Sequence, residues 1–173
     1  MCRSPACPCS SGFTLIELVA VLVLAGILAV VALPRFTETT TYSVIGFYDQ
    51  TLAALRYAQK IAIAQRRWTR LADTGGGLAL TYCGYSGGDG CNADTSACTQ
   101  ALVDPASGQA YTLVPPADVA LSHDAGYGTE FFFNCLGQPV SAAGTALGTI
   151  TYTVSGDGNH PIVVEQETGY AHP

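Results

Sequence analysis

Gly12-Phe13-Thr14-Leu15-Ile16-Glu17 runs directly into Leu18-Val19-Ala20-Val21-Leu22-Val23-Leu24-Ala25-Gly26-Ile27-Leu28-Ala29-Val30-Val31-Ala32-Leu33, and Pro34 follows. Phe13 to Leu33 is 21 residues. As a helix rising ~1.5 Å per residue this run reaches roughly 32 Å, about one hydrocarbon thickness. It is long enough to span a bilayer. Glu17 is out of place in such a span, because a carboxylate at membrane depth costs on the order of 2 to 3 kcal/mol unless it is neutralised or paired. A cut after Gly12 would give Phe13 a new α-amine four residues before Glu17, on the same side of the first helical turn. Glu17 would then either fold back on its own amine or pair with the amine of an adjacent copy. The second arrangement turns a costly group into an assembly signal.

These residues resemble the processing site of type IV pilins and of the pseudopilins of type II secretion. The resemblance implies a leader over residues 1–12, cut between Gly12 and Phe13 by a prepilin peptidase that also methylates Phe13. It implies assembly through Glu17, with Pro34 standing where the family often has a proline. The partners so implied are the prepilin peptidase, other pilins or pseudopilins, an inner-membrane assembly platform and membrane lipid. The chain would begin as a single-pass inner-membrane protein with a periplasmic head and end in an extracytoplasmic pilus or pseudopilus. Arg3 is the leader's only basic residue, a weak cytoplasmic charge signal. An ordinary secretory signal ending near Val30-Val31-Ala32, or a plain membrane anchor, accounts for the apolar run but leaves Glu17 without a task.

The 173 residues leave room for one compact domain beyond this segment. Lys and Arg total 7 against 13 acidic residues; without Arg3 the balance is 6 against 13, or −7. The remaining basic residues all fall between Arg35 and Arg70, while residues 71–173 hold ten acidic side chains and no Lys or Arg. Such a head repels phosphates, so no nucleic-acid partner is expected.

Cys2, Cys7 and Cys9 lie in the leader, and Cys83, Cys91, Cys98 and Cys135 lie beyond it. Four cysteines on the far side of a membrane suggest two disulfides, with three connectivities that sequence does not distinguish. A four-thiolate zinc site is the competing arrangement, but no pair has the short separation such sites favour. No cofactor or metal is expected.

Past Pro34, the Thr-rich segment Thr37 to Ser43 is a weak helix former. A helical pattern then runs from about Val44 to Leu71, with Arg56, Lys60, Arg66, Arg67 and Arg70 within one arc of about 120°. Phe47, Ala54, Leu55, Tyr57, Ala58, Ile61 and Trp68 lie mostly opposite, the face for a head to pack on. The basic face suits either solvent or the acidic head of a neighbouring subunit. Asp73-Thr74-Gly75-Gly76-Gly77 is expected to end the helix. Leu78 to Cys83, Tyr111 to Val114 and Glu130 to Asn134 read as strands, the last turned by Gly137-Gln138-Pro139. Ile150, Tyr152 and Val154 alternate with Thr residues, Asp157-Gly158-Asn159 turns, and Ile162-Val163-Val164 returns. The expected fold is α+β: a transmembrane segment over 13–33, an amphipathic helix half over 34–72, and a β-rich head with a cysteine loop over 73–173.

Phe131-Phe132-Phe133 followed by Gly137, the late hairpin, Glu167-Thr168-Gly169-Tyr170 and Arg56-Tyr57-Ala58-Gln59-Lys60 are similar to minor pilins and pseudopilins of the GspH/FimT class, including MSHA-type minor pilins. That resemblance implies the pilin fold and a place at or near a filament tip. Some relatives bind DNA through basic head residues, which makes a DNA-uptake minor pilin one alternative.

Motifs that would carry catalysis are weak. Gly84-Tyr85-Ser86-Gly87-Gly88 has the form of a hydrolase nucleophile elbow, but Asp89-Gly90-Cys91-Asn92 follows where a helix is required. His123, His160 and His172 have no metal-like spacing, and Asp89, Asn92 and Asp94 do not reproduce a calcium loop. The chain is expected not to be an enzyme; a secreted or membrane-anchored disulfide-containing enzyme or binding protein is the alternative from another class.

Overall fold

The computed structural model describes residues 14–32, 39–85, 91, 93–124 and 126–173. The chain divides into two compact units, Met1–Thr39 and Thr40–Pro173. In the first, helix α1 (Leu15–Ala32) is 18 residues long, about 27 Å at helical rise. Its large apolar side chains between Leu15 and Leu28, from Leu15 at 82% to Val19 at 43% exposure, lie uncovered on every side. Among the described residues no helix is long and apolar enough to cross a membrane. The expected span over 13–33 extends past the described helix at both ends, and Phe13, Leu33 and Pro34 lie outside the described residues.

In the second unit, helix α2 (Thr39–Gln65) buries Val44, Phe47, Thr51, Ala54, Leu55, Ala58 and Ala62. Their three- and four-residue spacing keeps them on one face. Thr51, polar on that face, satisfies its hydroxyl by donating to the Phe47 carbonyl at 2.8 Å. The helix ends sooner than its basic periodicity suggests. Arg66 adopts φ 50°, its N–H donates to the Ile63 carbonyl at 3.3 Å, and the Arg67 N–H donates to the Ala62 carbonyl at 3.1 Å. This is a Schellman termination with arginine in the left-handed position glycine usually takes. The expected helix over 44–71 is therefore corrected: Trp68 leads into strand β1 (Thr69–Asp73), and Arg70 belongs to a sheet.

The glycine run expected to end the helix instead turns a hairpin. Asp73 accepts from the N–H groups of Gly75 at 2.8 Å and Gly76 at 3.1 Å, and β2 (Leu78–Tyr82) returns antiparallel to β1. Then come β3 (Gly84–Tyr85), β4 (Ala93–Asp94), β5 (Gln100–Ala101), β6 (Thr112–Leu113), β7 (Ala120–His123), β8 (Glu130–Phe133) and β9 (Pro139–Val140). The chain closes with β10 (Ile150–Ser155), β11 (Asn159–Val164) and β12 (Ala171–His172). One antiparallel sheet runs β5-β2-β1-β8-β9 with β6 also on β2; a second runs β12-β11-β10-β7; β3 and β4 form a small ribbon. The late hairpin forms in the expected place, with Tyr152 opposite Ile162 and Ser155 opposite Asn159.

The core lies between α2 and the sheets and contains Leu71, Leu80, Phe131, Phe133, Ile150, Tyr152, Ile162 and Val164 with the buried face of α2. The α+β class stands. The Phe131-Phe132-Phe133 run alternates across β8, as strand geometry requires. Phe131 and Phe133 join the main core, while Phe132 joins Cys83, Cys98, Val140 and Trp68 in a second cluster.

Candidate functional site

The start of α1 is set by its own sequence. The Thr14 hydroxyl accepts the Glu17 N–H at 3.3 Å, and the Leu18 N–H donates to the Thr14 carbonyl at 3.2 Å. Thr14 is thus the N-cap and Glu17 the third helical residue, the Thr-x-x-Glu spacing of a capping box. Sequence reasoning passed over Thr14, although that spacing signals it. Glu17 sits in the first turn, where the positive end of the helix favours a carboxylate. Gly12, Phe13 and Pro34, the other expected processing and assembly residues, lie outside the described residues.

The four cysteines of the head form two disulfides, Cys83–Cys98 and Cys91–Cys135. The first ties the ends of the cysteine loop together; the second ties the loop to the segment after β8. Residues before β1 hold it further. Trp68 donates its indole N–H to the Cys91 carbonyl at 2.7 Å. The Arg67 guanidinium donates to the Cys83 carbonyl at 2.9 Å and lies over the Tyr82 ring.

The histidines are engaged with carboxylates. His123 pairs with Asp73 at 3.4 Å and stacks on Tyr127. His160 lies 3.1 Å from Asp157 and His172 lies 2.9 Å from Glu165; the Glu165 contact, then the Pro173 carbonyl, raise the His172 pKa. Ser86, Asp89 and Asn92 lie outside the described residues. Among the described residues no three His, Cys, Asp or Glu side chains cluster as a metal site. The basic arc does not survive as a helical face: Arg70 bonds Glu130 through Nε at 2.6 Å, and Arg56 donates to the Ala171 carbonyl at 2.9 Å beneath the Tyr170 ring. Lys60 remains exposed on α2.

Residues 7–33 match the prokaryotic N-terminal methylation motif. The chain thus carries a methylation motif at the place where Gly12, Phe13 and Glu17 stand. The chain is 45% identical over 58 residues to the type IV narrow pilus major component PilA5 of Thermus thermophilus; the match takes in 34% of this chain and 50% of that protein. The chain thus spans about half the length of the curated relative it matches. Two crystal forms of the type IV minor pilin FimU of Pseudomonas aeruginosa also resemble it. One gives a TM-score of 0.44 at 15% identity, covering 79% of this chain and 88% of FimU. The other gives 0.45 at 14%, covering 76% and 90%.

Proposed function

We propose that this pilin-like chain is a minor pilin or pseudopilin, held in the inner membrane by residues 13–33 with its head in the periplasm. Prepilin peptidase cuts it between Gly12 and Phe13 and methylates Phe13. An inner-membrane assembly platform then adds it, with other pilins, to an extracytoplasmic pilus or pseudopilus, at or near the tip. The observation that carries this proposal is α1: a helix apolar on every side, whose first turn carries the lone carboxylate of Glu17. An all-apolar surface calls for lipid or other helices around it, and Glu17 in that setting requires a cation. The Phe13 amine of a neighbouring subunit supplies one. Disulfides in the head suit an oxidising compartment outside the cytoplasm.

Glu17→Ala tests this in cells carrying the full chain. Insertion and cleavage, followed by fractionation and N-terminal mass spectrometry, stay intact, while recovery of the chain in sheared filaments collapses. Normal incorporation of the variant would sink the proposal.

A further inference from the structure

Strand β7 is the outer strand of its sheet: among the described residues β10 lies on one side of it and no strand on the other. Its register sets Leu121 opposite Val154 and Ser122 opposite Thr153, and the Asp124 N–H donates to the Thr151 carbonyl at 3.0 Å. In an antiparallel pair, residues that exchange hydrogen bonds alternate with residues that do not. Ser122 and Asp124 therefore turn their backbone groups to β10, while Leu121 and His123 turn theirs outward. The outward N–H of Val119 is taken up by the Pro116 carbonyl at 3.2 Å, in a turn where Asp118 holds φ 68°. The outward backbone groups of Leu121 and His123 have no hydrogen-bond partner among the described residues.

Such an edge is usually guarded by lysine, proline, a bulge or a covering loop. Among the described residues β7 has none of these. Its exposed side chains are those of Ala120 and Ser122, small enough for another backbone to come alongside. Leu121 is buried in the core and the His123 side chain is held by Asp73. Exposed Asp118 and Asp124 bracket the strand, at most roughly 20 Å apart at strand rise.

We infer that the outer edge of β7 takes an added β-strand from a different filament subunit, a strand with Lys or Arg near each end. The inference rests on the filament proposal above and adds the mode of contact and the chemistry of the partner. The outward N–H and carbonyl groups of Leu121 and His123 supply the backbone bonds of strand addition, and Asp118 and Asp124 select the charge of the incoming strand. A second copy of this chain has no such strand to give. From Thr69 to Pro173 its only Lys or Arg is Arg70, and β1 is already paired on both sides, with β2 and β8.

The test places the photoreactive residue p-benzoylphenylalanine at position 122 of the full chain in cells. After irradiation, filaments are sheared off and the adducts identified by mass spectrometry. The expected adduct joins a different filament subunit, in a segment with Lys or Arg about six residues apart. Asp118→Asn together with Asp124→Asn keeps the shape of both side chains and the tolerance of position 118 for positive φ, and lowers the yield about fivefold. Asp124→Glu, which keeps the charge, leaves it within about twofold. The inference is overturned if the chain is present in filaments but its adducts are to its own copies, to secreted protein or to nothing, or if the paired Asn variant leaves the yield unchanged. Absence of the wild-type chain from filaments would overturn the filament proposal and the edge contact with it.

Discussion

Gly169 lies directly against the carbonyl of Gly137: a Cβ on Gly169 would overlap that oxygen and stand 2.9 Å from Cε1 of Phe133. Two turns from different sheets meet here without side chains, and α2 completes the contact where Gln59 donates to the Thr168 carbonyl at 2.6 Å. Gly169 also holds φ 65°, so a side chain there is penalised twice. Gly169→Ala is expected to destabilise the head by about 3 kcal/mol or more. Gly108, at φ 70° with open space around it, serves as the control, and Gly108→Ala should cost only about 1 kcal/mol. Urea unfolding followed by Trp68 fluorescence compares them; equal losses would place the whole effect in the backbone.

Arg66 caps α2 in a conformation that a Cβ disfavours. Arg66→Gly should therefore raise stability by about 0.5 kcal/mol, the relief at the left-handed position exceeding the extra freedom of the unfolded chain. Arg66→Val should lower it. A decrease in the midpoint for Arg66→Gly would mean that the guanidinium itself holds the helix end.

The two disulfides close loops of different length, with sequence separations of 15 and 44 residues. By chain entropy they contribute about 3 and 4 kcal/mol respectively. Removing Cys91 and Cys135 together should thus cost more than removing Cys83 and Cys98, provided that packing around Phe132 changes equally little. Denaturant midpoints of the two double-serine variants decide the order.

Asp73 gives the head an acid-sensitive link between its sheets. Its carboxyl is held below the usual carboxylate range, first by the Gly76 N–H, against the opposing effect of burial, and then by the Gly75 N–H and His123. A lowered folded-state pKa means that its stabilisation is present above the unfolded value of about 3.9 and disappears as the pH falls through the folded value. Asp73→Asn should consequently be less stable than the wild type at pH 6, with the gap narrowing toward pH 3. A gap that is constant with pH would show that the carboxylate charge contributes nothing.

What could be read from the sequence follows the length and purity of each pattern. Ile150 to Val164 was legible because apolar and Thr residues alternate from Ile150 to Val154, a strong turn follows, and the apolar run Ile162-Val163-Val164 returns. Glu130 to Phe133 was legible as aromatic strand, though not the division of its phenylalanines between two clusters, which depends on what covers each face. Strand β1 was hidden because Arg66, Arg67 and Arg70 continue a helical charge period past the true helix end, and no glycine marks that end. Strand β7 is four residues long, too short for alternation to stand out. The cysteines announced disulfides, but their pairing depends on which of them the fold brings together. At the N-terminus Glu17 was conspicuous as a charge in an apolar run; Thr14 was not, because its role is a hydrogen bond to the backbone of that same residue.

Phe132 and its two neighbours make β8 a partition between two separately sealed compartments. One holds the packing of α2; the other gathers Trp68, Val140 and the Cys83–Cys98 disulfide around Phe132. No residue between Cys83 and Cys98 belongs to either cluster among the described residues. The loop is accordingly the place where an epitope or a fluorophore can be inserted with the helix side of the head undisturbed.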